Sequence, residues 1–334
     1  DHARALWEIA NQSVQLVREL CARDEIDIPF HEGVIHASHR KRFVADYVDY
    51  AKKLNQEYGY DKIRSLDQQE LRYLVNSPAY YGGTLDMGSG HIHPLGFALG
   101  LAKLARSAGV QIHEASQVTG LEPGAPAAVR TDNAVINADY VILGCNGYLG
   151  NLESRVAARV MPINNYILAT EPMSVDQQET LIRNNHAVAD SKFVVNYFRF
   201  SEDHRLLFGG TESYRYKFTG DIAAAVRKPM LEVFPQLEDV RVDYAWGGTL
   251  AITMNRLPHF ERLAPNILSC SGYSGHGVAM STLAGQIASE AIAGQAERFD
   301  VMAKVPTPRF PGGAMLRAPL LVLAMVWYSL RDKL

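Results

Sequence analysis

The tightest constraint in this sequence is a short run, Asn266 to Ser271, that passes through Gly272, Gly275 and Gly277 into a helical pattern. Asn266-Ile-Leu-Ser-Cys-Ser reads as a buried strand, and Leu283, Ile287 and Ala291 then recur at helical spacing up to Gly294. Glycines between a buried strand and a helix let backbone N–H groups turn outward at the helix start. There the free N–H groups and the helix dipole favour negative charge. A phosphate or another flat anionic edge fits such a turn. So does a purely architectural role, a turn that lets strand and helix pack closely. The spacing is G-x-x-G-x-G and not the dinucleotide G-x-G-x-x-G, so the pattern alone leaves both readings open.

A second strand has the same character. Tyr140 to Gly144 is apolar without alternation, as in a strand buried on both faces. It exits through Cys145, Asn146 and Gly147. Open α/β sheets place ligands at such carboxyl ends, and an ordinary strand exit reads the same way.

Around these strands the chain alternates helices with short strands. Residues 1–25 and 40–58 are helical by periodicity, and Asp67 with Glu70 marks a capped helix start. Pro94 opens a helix carrying Leu95, Ala98, Leu99, Ala102 and Ala105 on one stripe, stopped at Gly109. Val110 to His113 reads as a strand, followed by a meander over 118–122, 128–131 and 135–137. From Asn151 to Phe260 strand-like segments dominate: 166–170, 193–200, 205–210 and 242–246, with one helix at 221–234. The expected fold class is mixed α/β, an antiparallel-sheet region inserted between two pieces of a Rossmann-like domain.

At 334 residues the chain is long enough for about two domains. With 33 basic against 36 acidic residues, it lacks the excess of positive charge a nucleic-acid footprint needs. An apolar fraction of 47% excludes wholesale disorder. Cys21, Cys145 and Cys270 form neither a paired framework nor a C-x-x-C metal spacing, which points to a reducing, cytoplasmic setting. The longest apolar run, Leu320 to Tyr328, falls far short of the ~20 residues of a membrane-spanning helix. It reads as a docked surface helix, with a membrane interface as the other option. The chain starts inside a helical pattern without Met or signal peptide, so an internal start within a longer protein is expected.

Few residues offer chemistry. His91 and His93 share a strand face, but no further Cys, His or acidic residue completes a metal site at recognised spacing, so no metal is expected. Gly272-Tyr-Ser-Gly-His misses the G-x-S-x-G elbow of hydrolases. Tyr197, Phe198, Arg199, Tyr244 and Trp246 form an aromatic and cationic set on sheet-like segments. Facing a cavity, they can hold an amine chain and a carboxylate; otherwise they are cross-strand packing with a surface arginine.

Several segments carry a resemblance to a known family. They include Gly83-Thr-Leu-Asp-Met-Gly-Ser-Gly-His-Ile-His-Pro, Ala138-Asp-Tyr-Val-Ile-Leu-Gly-Cys-Asn-Gly-Tyr-Leu and Asn196-Tyr-Phe-Arg. Others are Trp246-Gly-Gly-Thr-Leu-Ala-Ile-Thr-Met-Asn-Arg-Leu-Pro-His and Gly272-Tyr-Ser-Gly-His-Gly-Val. Together they resemble the FAD-dependent D-amino-acid oxidase superfamily, in its γ-glutamylputrescine oxidoreductase-like branch. That family opens with a strand, a G-x-G-x-x-G turn and a helix that cradle the FAD pyrophosphate. No such motif occurs here, so the chain resembles the C-terminal three-quarters of such an enzyme. Truncation and a flavin-free, non-catalytic relative are the two readings of that difference, and a truncated chain is expected to expose apolar edges and aggregate.

The resemblance implies FAD as cofactor, held by residues 1–25, 88–150 and 264–300. Residues 26–87 and 151–263 form the substrate domain, and 301–334 a tail. It places Val118 at the adenine, Cys145, Asn146 and Gly147 near the ribose and pyrophosphate, and Gly275, His276, Gly277 and Val278 beside the flavin pyrimidine ring. Trp246, Asn255 and Arg256 fall on segments that line the flavin and substrate cavity in that family, and with Tyr197 and Arg199 of the aromatic and cationic set they are the substrate-binding candidates. The sequence does not identify the catalytic base, for which His91, Tyr273 and His276 are the candidates. The implied reaction is amine oxidation by hydride transfer to flavin, with O2 reoxidising the flavin to give hydrogen peroxide. γ-Glutamylputrescine or a related polyamine conjugate is the expected substrate, with sarcosine-like amines or D-amino acids as alternatives.

Overall fold

A computed structural model describes residues 2–213, 218 and 220–311, and the apolar run at 320–328 lies outside them. The chain opens with α1 (His2–Cys21), whose Ile9, Ser13 and Val17 turn inward at i, i+4 spacing. β1 (His31–Ala37) leads to α2 (Val44–Tyr58), which closes on Gly59 in the left-handed conformation that glycine adopts without strain. After β2 (Ile63–Leu66), α3 (Gln68–Leu74) begins with the expected capping box. Asp67 accepts from the Glu70 N–H, and Glu70 accepts from the Asp67 N–H.

β3 (Gly83–His91) passes into α4 (Pro94–Ser107). The meander follows as β4 (Val118–Glu122), β5 (Ala127–Thr131) and β6 (Val135–Ala138), then β7 (Val141–Leu143) and α5 (Ser154–Ala157). Next come β8 (Met161–Thr170), α6 (Val175–Leu181), β9 (Ala187–Asp190), β10 (Tyr197–Phe200), β11 (Leu206–Ser213) and α7 (Ile222–Val233). β12 (Val242–Ile252), β13 (His259–Ala264), β14 (Ile267–Ser271), α8 (Gly277–Ile292) and α9 (Glu297–Ala303) end the described chain. Two compact units result. One takes the chain through residue 27, 94–163 and from 249; the other takes 28–93 and 164–248.

The second unit rests on an eight-stranded sheet in the order β12-β8-β11-β10-β9-β1-β3-β2. Most described pairs are antiparallel; β1 and β9 run parallel. Strand alternation sends Phe198, Phe200, Leu206, Phe208 and Leu168 to one face, where α3 and α7 cover them with Leu71, Leu74, Val226, Met230 and Val233. Phe198 sits at the centre, stacked on Phe208 at 5.3 Å and edge-on to Phe234 at 5.1 Å. The opposite face carries Tyr197 and Arg199. At the sheet edge, Asp243 of β12 accepts from Arg205 at 2.6 Å and from Arg241 at 2.7 Å, which fixes the start of that strand.

The first unit holds a three-stranded sheet, β13-β14-β7, and the separate β4–β6 meander. β14 is antiparallel to β13 and parallel to β7. Against its Leu268 and Cys270 pack Ile9 of α1, Leu283 and Ile287 of α8, and Phe299 of α9.

Four expectations fail locally. Val110 to His113 forms no ladder; Val110 N–H bonds back to the Ala105 carbonyl, as in a helix end. β7 is not buried on both faces: it is an edge strand, with Ile142 42% exposed. In α4 the stripe is rotated. Leu95 and Leu99 are 64% and 63% exposed, while Phe97 and Gly100 face inward, and a Cβ on Gly100 would stand 2.8 Å from Ile26. The strand expected over 193–200 begins at Tyr197, and β9, made of small residues, carried no signal. Replacing Phe198 by Ala should cost about 3–5 kcal/mol of stability, read by urea denaturation of the folded chain.

Candidate functional site

In the first unit, β7 and β14 pair with Val141 opposite Ile267 and Leu143 opposite Ser269, so their carboxyl ends open side by side. The exit of β7 is a tight turn at Asn146–Tyr148. Asn146 Oδ1 accepts from the Gly272 N–H at 3.1 Å, tying the two exits together. Gly147 must lack a side chain there, because a Cβ would stand 2.7 Å from the Thr249 carbonyl oxygen. The Gly272–His276 turn is pinned from its other side. Ser274 N–H donates to the Ala251 carbonyl at 3.0 Å, and Ser274 Oγ accepts from the Thr253 N–H at 3.2 Å.

Gly272 and Gly275 adopt φ of +73° and +100°. A Cβ on Gly272 would meet Thr253 at 2.6 Å, whereas one on Gly275 would meet nothing within 4 Å. Gly275 therefore serves backbone conformation and leaves open space. α8 then begins without a side-chain cap from His276, so its first-turn N–H groups have no intrahelical partner. Gly275, His276 and Val278 are exposed. The result is a set of outward N–H groups at a helix N-terminus, beside two strand ends, suited to a flat anionic group.

The other candidates of this unit behave differently. Tyr273 turns into the core with Leu268 and Leu283, and burial pushes its phenol far up, so the hydroxyl stays protonated. Burial also raises the Cys145 thiol and pushes Cys270 up to about 12, so neither is a ready thiolate. Val118 opens β4, half-buried opposite Thr131. Asn255 is committed to the turn between β12 and β13. Its Oδ1 accepts from the Leu257 N–H at 3.2 Å, and its Nδ2 donates to the Pro306 carbonyl at 2.6 Å. Arg256 beside it takes φ of +61°.

Tyr197, Arg199, Trp246 and His91 belong to the second unit, on β10, β12 and β3. The Tyr197 hydroxyl donates to Asn165 Oδ1, and its ring lies across Gly209, where no Cβ would fit. Burial and the nearby Glu212 carboxylate raise that phenol strongly. Trp246 is 44% exposed on β12, and the adjacent Gly247 lets Phe218 and Tyr166 close to within 3 Å of where its Cβ would be. Arg199 donates to the Phe200 carbonyl at 2.9 Å, and among the described residues no carboxylate pairs with it. Its charge is half-buried; burial lowers its affinity for the proton and Glu202 opposes that.

His91 is only 8% exposed. Its Nε2 donates to the Asn185 carbonyl at 2.7 Å, and its ring stacks on His31 at 5.0 Å. Burial lowers its pKa to about 4, with Arg199 and His31 adding to the effect, so it is neutral at neutral pH. His93, its expected companion, is exposed. No group of three or more metal-binding side chains forms among the described residues. Sequence reasoning missed His31, Asn165 and Glu202. His31 and His91 meet only through the register of β1 on β3, which no local pattern encodes.

Comparison with known proteins adds the following. The family model described as FAD dependent oxidoreductase (DAO) matches residues 1–291. Gamma-glutamylputrescine oxidoreductase of Escherichia coli (strain K12) is 38% identical over 100% of this chain and 78% of its own length. Probable oxidoreductase OrdL of Rhizobium meliloti (strain 1021) is 36% identical over 99% and 77%. The crystal structure of L-proline dehydrogenase from P. horikoshii superposes with a TM-score of 0.74 at 17% identity, covering 88% of this chain and 80% of that one, which shows a shared fold.

Two outcomes follow from the geometry. Gly147→Ala should cost about 1–3 kcal/mol and disturb the turn it packs in, measured by denaturation, since backbone atoms cannot yield to the new Cβ. His91 has a folded pKa below its unfolded value near 6.5, so its contribution to stability is present above that value and is lost as pH falls toward 4. In His91→Phe, stability should vary less with pH across that window; an unchanged dependence would show that His91 is not its source.

Proposed function

The chain belongs to the family of FAD dependent oxidoreductases, and on that premise we propose that it oxidises a primary amine, γ-glutamylputrescine or a related polyamine conjugate, with O2 as acceptor. The observation carrying this reading is the 38% identity, over the whole chain, to an enzyme named for that substrate. The residues present fit one part of FAD. The uncapped start of α8 and the open space at Gly275 suit the anionic edge of the flavin ring, with Gly277 and Val278 offering N–H groups. The sequence contains no G-x-G-x-x-G, so these residues supply that edge and not a pyrophosphate cradle. Asn146 and Gly147 hold the neighbouring strand exit in place.

Bound FAD supplies a two-electron acceptor for the hydride on the carbon next to the amine. The protein's own task is to bind that amine and take its proton. An alkyl ammonium ordinarily has a pKa near 10.4, and only the neutral amine can give up a hydride. The positive end of α8 lowers that value locally. Of the three base candidates, Tyr273 stays protonated and His91 has one nitrogen committed and the other buried. His276, exposed at the helix start, is the group we assign to the proton. The imine product hydrolyses to an aldehyde and ammonia. Separately, the second unit carries an arginine of the kind that binds carboxylates, Arg199, and the aromatic side chains of Tyr197 and Trp246.

FAD-loaded protein should convert γ-glutamylputrescine with one ammonia and one hydrogen peroxide per turnover, and should act poorly on sarcosine and D-alanine. His276→Asn should lower kcat/KM about 100-fold near pH 7, recovering toward pH 10 where the free amine is abundant. A variant with the parent's pH profile would remove His276 from the mechanism.

A further inference from the structure

One buried acid of the second unit takes no part in the chemistry above. Asp190 ends β9 and is only 6% exposed. The chain then turns through residues 191–196 into β10, and the Asp190 N–H donates to the Asn196 carbonyl at 2.9 Å across the base of that loop. The loop folds around the carboxyl group. Oδ1 accepts from the Lys192 N–H at 3.1 Å and from the Asn196 N–H at 3.0 Å. Oδ2 accepts from Asn196 Nδ2 at 2.8 Å and from the Tyr80 hydroxyl at 3.4 Å. All of these donors except Tyr80 belong to the loop, so the state of the carboxyl group is felt directly by the loop.

No cation is paired with this acid. The Lys192 ammonium turns to Glu232 at 3.2 Å, and among the described residues no basic side chain forms an ion pair with Asp190. His39 meets Ser191 instead of the carboxyl group: its N–H donates to Ser191 Oγ at 3.0 Å and its Nδ1 lies 2.7 Å from the same oxygen. The Tyr47 hydroxyl also bonds to Ser191, and Tyr80 stands against Asp190. Both phenols are raised by burial first and by the Asp190 charge in addition, so neither offers a counter-charge. A buried carboxylate held by hydrogen bonds alone is under tension, because burial favours its neutral form while the donors favour the charged one. Here burial prevails. It pushes the carboxyl group up to about 6, with the Asn196 and Lys192 donors and the Lys192 charge opposing it only in part.

We propose that Asp190 is a proton-operated latch on the 191–196 loop: the loop closes over the neutral carboxyl group and opens to water when that group is charged. In the open loop the acid has the ordinary carboxylate value of about 3.9, so the closed loop binds the proton more tightly than the open one. Closure is fully favoured below the ordinary value, and that advantage is lost as pH rises through about 6. The opening is local, since β9 and β10 remain paired at Ala189 with Tyr197 and Val188 with Phe198. Asn196 leads directly into Tyr197, so the latch governs how firmly the start of β10 is held. It needs neither FAD nor substrate to operate.

The test is backbone hydrogen exchange of the full 334-residue chain at pH 5 and pH 7.5, with each amide corrected for its intrinsic rate. The opening constant read at the Lys192 and Asn196 amides should be about tenfold larger at the higher pH. At both pH values these amides should exchange faster than those of Phe208 and Val226, as only the loop opens. Asp190→Asn, which keeps the shape and does not titrate, should remove the rise. Carbon-13 NMR of the carboxyl group in the parent should give a midpoint near 6, and Lys192→Met, which takes away a neighbouring positive charge, should move it higher. A parent loop that opens equally at both pH values, an Asp190→Asn loop that keeps the rise, or a carboxyl midpoint of about 4 overturns the latch. The NMR titration of the parent decides the matter even where a variant fails to fold.

Discussion

Because β7 and β14 pair in parallel, their carboxyl ends release two turns on one side of the sheet, and the hydrogen bond from Gly272 to Asn146 fixes how those turns stand together. The remaining features of that edge follow from this constraint. Gly147 has to be bare where it meets the Thr249 carbonyl, and Ser274 is held by Ala251 and Thr253 at the end of β12. α8 is then launched with its first N–H groups uncapped. Behind the turn, Tyr273, Leu268 and Cys270 bury themselves against α1, α8 and α9, so the backbone facing outward is backed by a packed core. A rigid ring of donors of this kind is a property of main chain and packing, with few side chains involved.

The second unit works the other way, through side chains. Its sheet buries one face under α3 and α7 and keeps polar and aromatic groups on the other. On that polar side, burial shifts proton affinities strongly: His91 falls to about 4 and Tyr197 rises. Both are therefore neutral over the ordinary pH range. The clamp of Arg205 and Arg241 on Asp243 secures the neighbouring edge strand that carries Trp246.

Much of this was legible in the sequence where local chemistry decides. The Asp67 capping box, the Gly59 helix end, Pro94 at a helix start and the strand–glycine–helix passage at 266–277 each follow from residue type and spacing. The misses share one cause, tertiary context. Ile142 is apolar in an edge strand, and Leu95 and Leu99 sit on the open side of α4 because Gly100 allows the approach to Ile26. Asn255, a substrate-lining candidate by resemblance, accepts from the Leu257 N–H of its own turn and donates to the Pro306 carbonyl. His31 and Glu202 carried no signal, since only the register of β1 on β3 and the turn after β10 bring them to His91 and Arg199.

The most direct measurement is the visible absorption spectrum of the 334-residue chain mixed with FAD and separated from free cofactor, then exposed to γ-glutamylputrescine without oxygen. If the strand ends and the α8 N-terminus hold the flavin, the expected result is a bound spectrum that the amine bleaches and air restores. A chain that folds but stays colourless, or a bound flavin that the amine leaves oxidised, would contradict it.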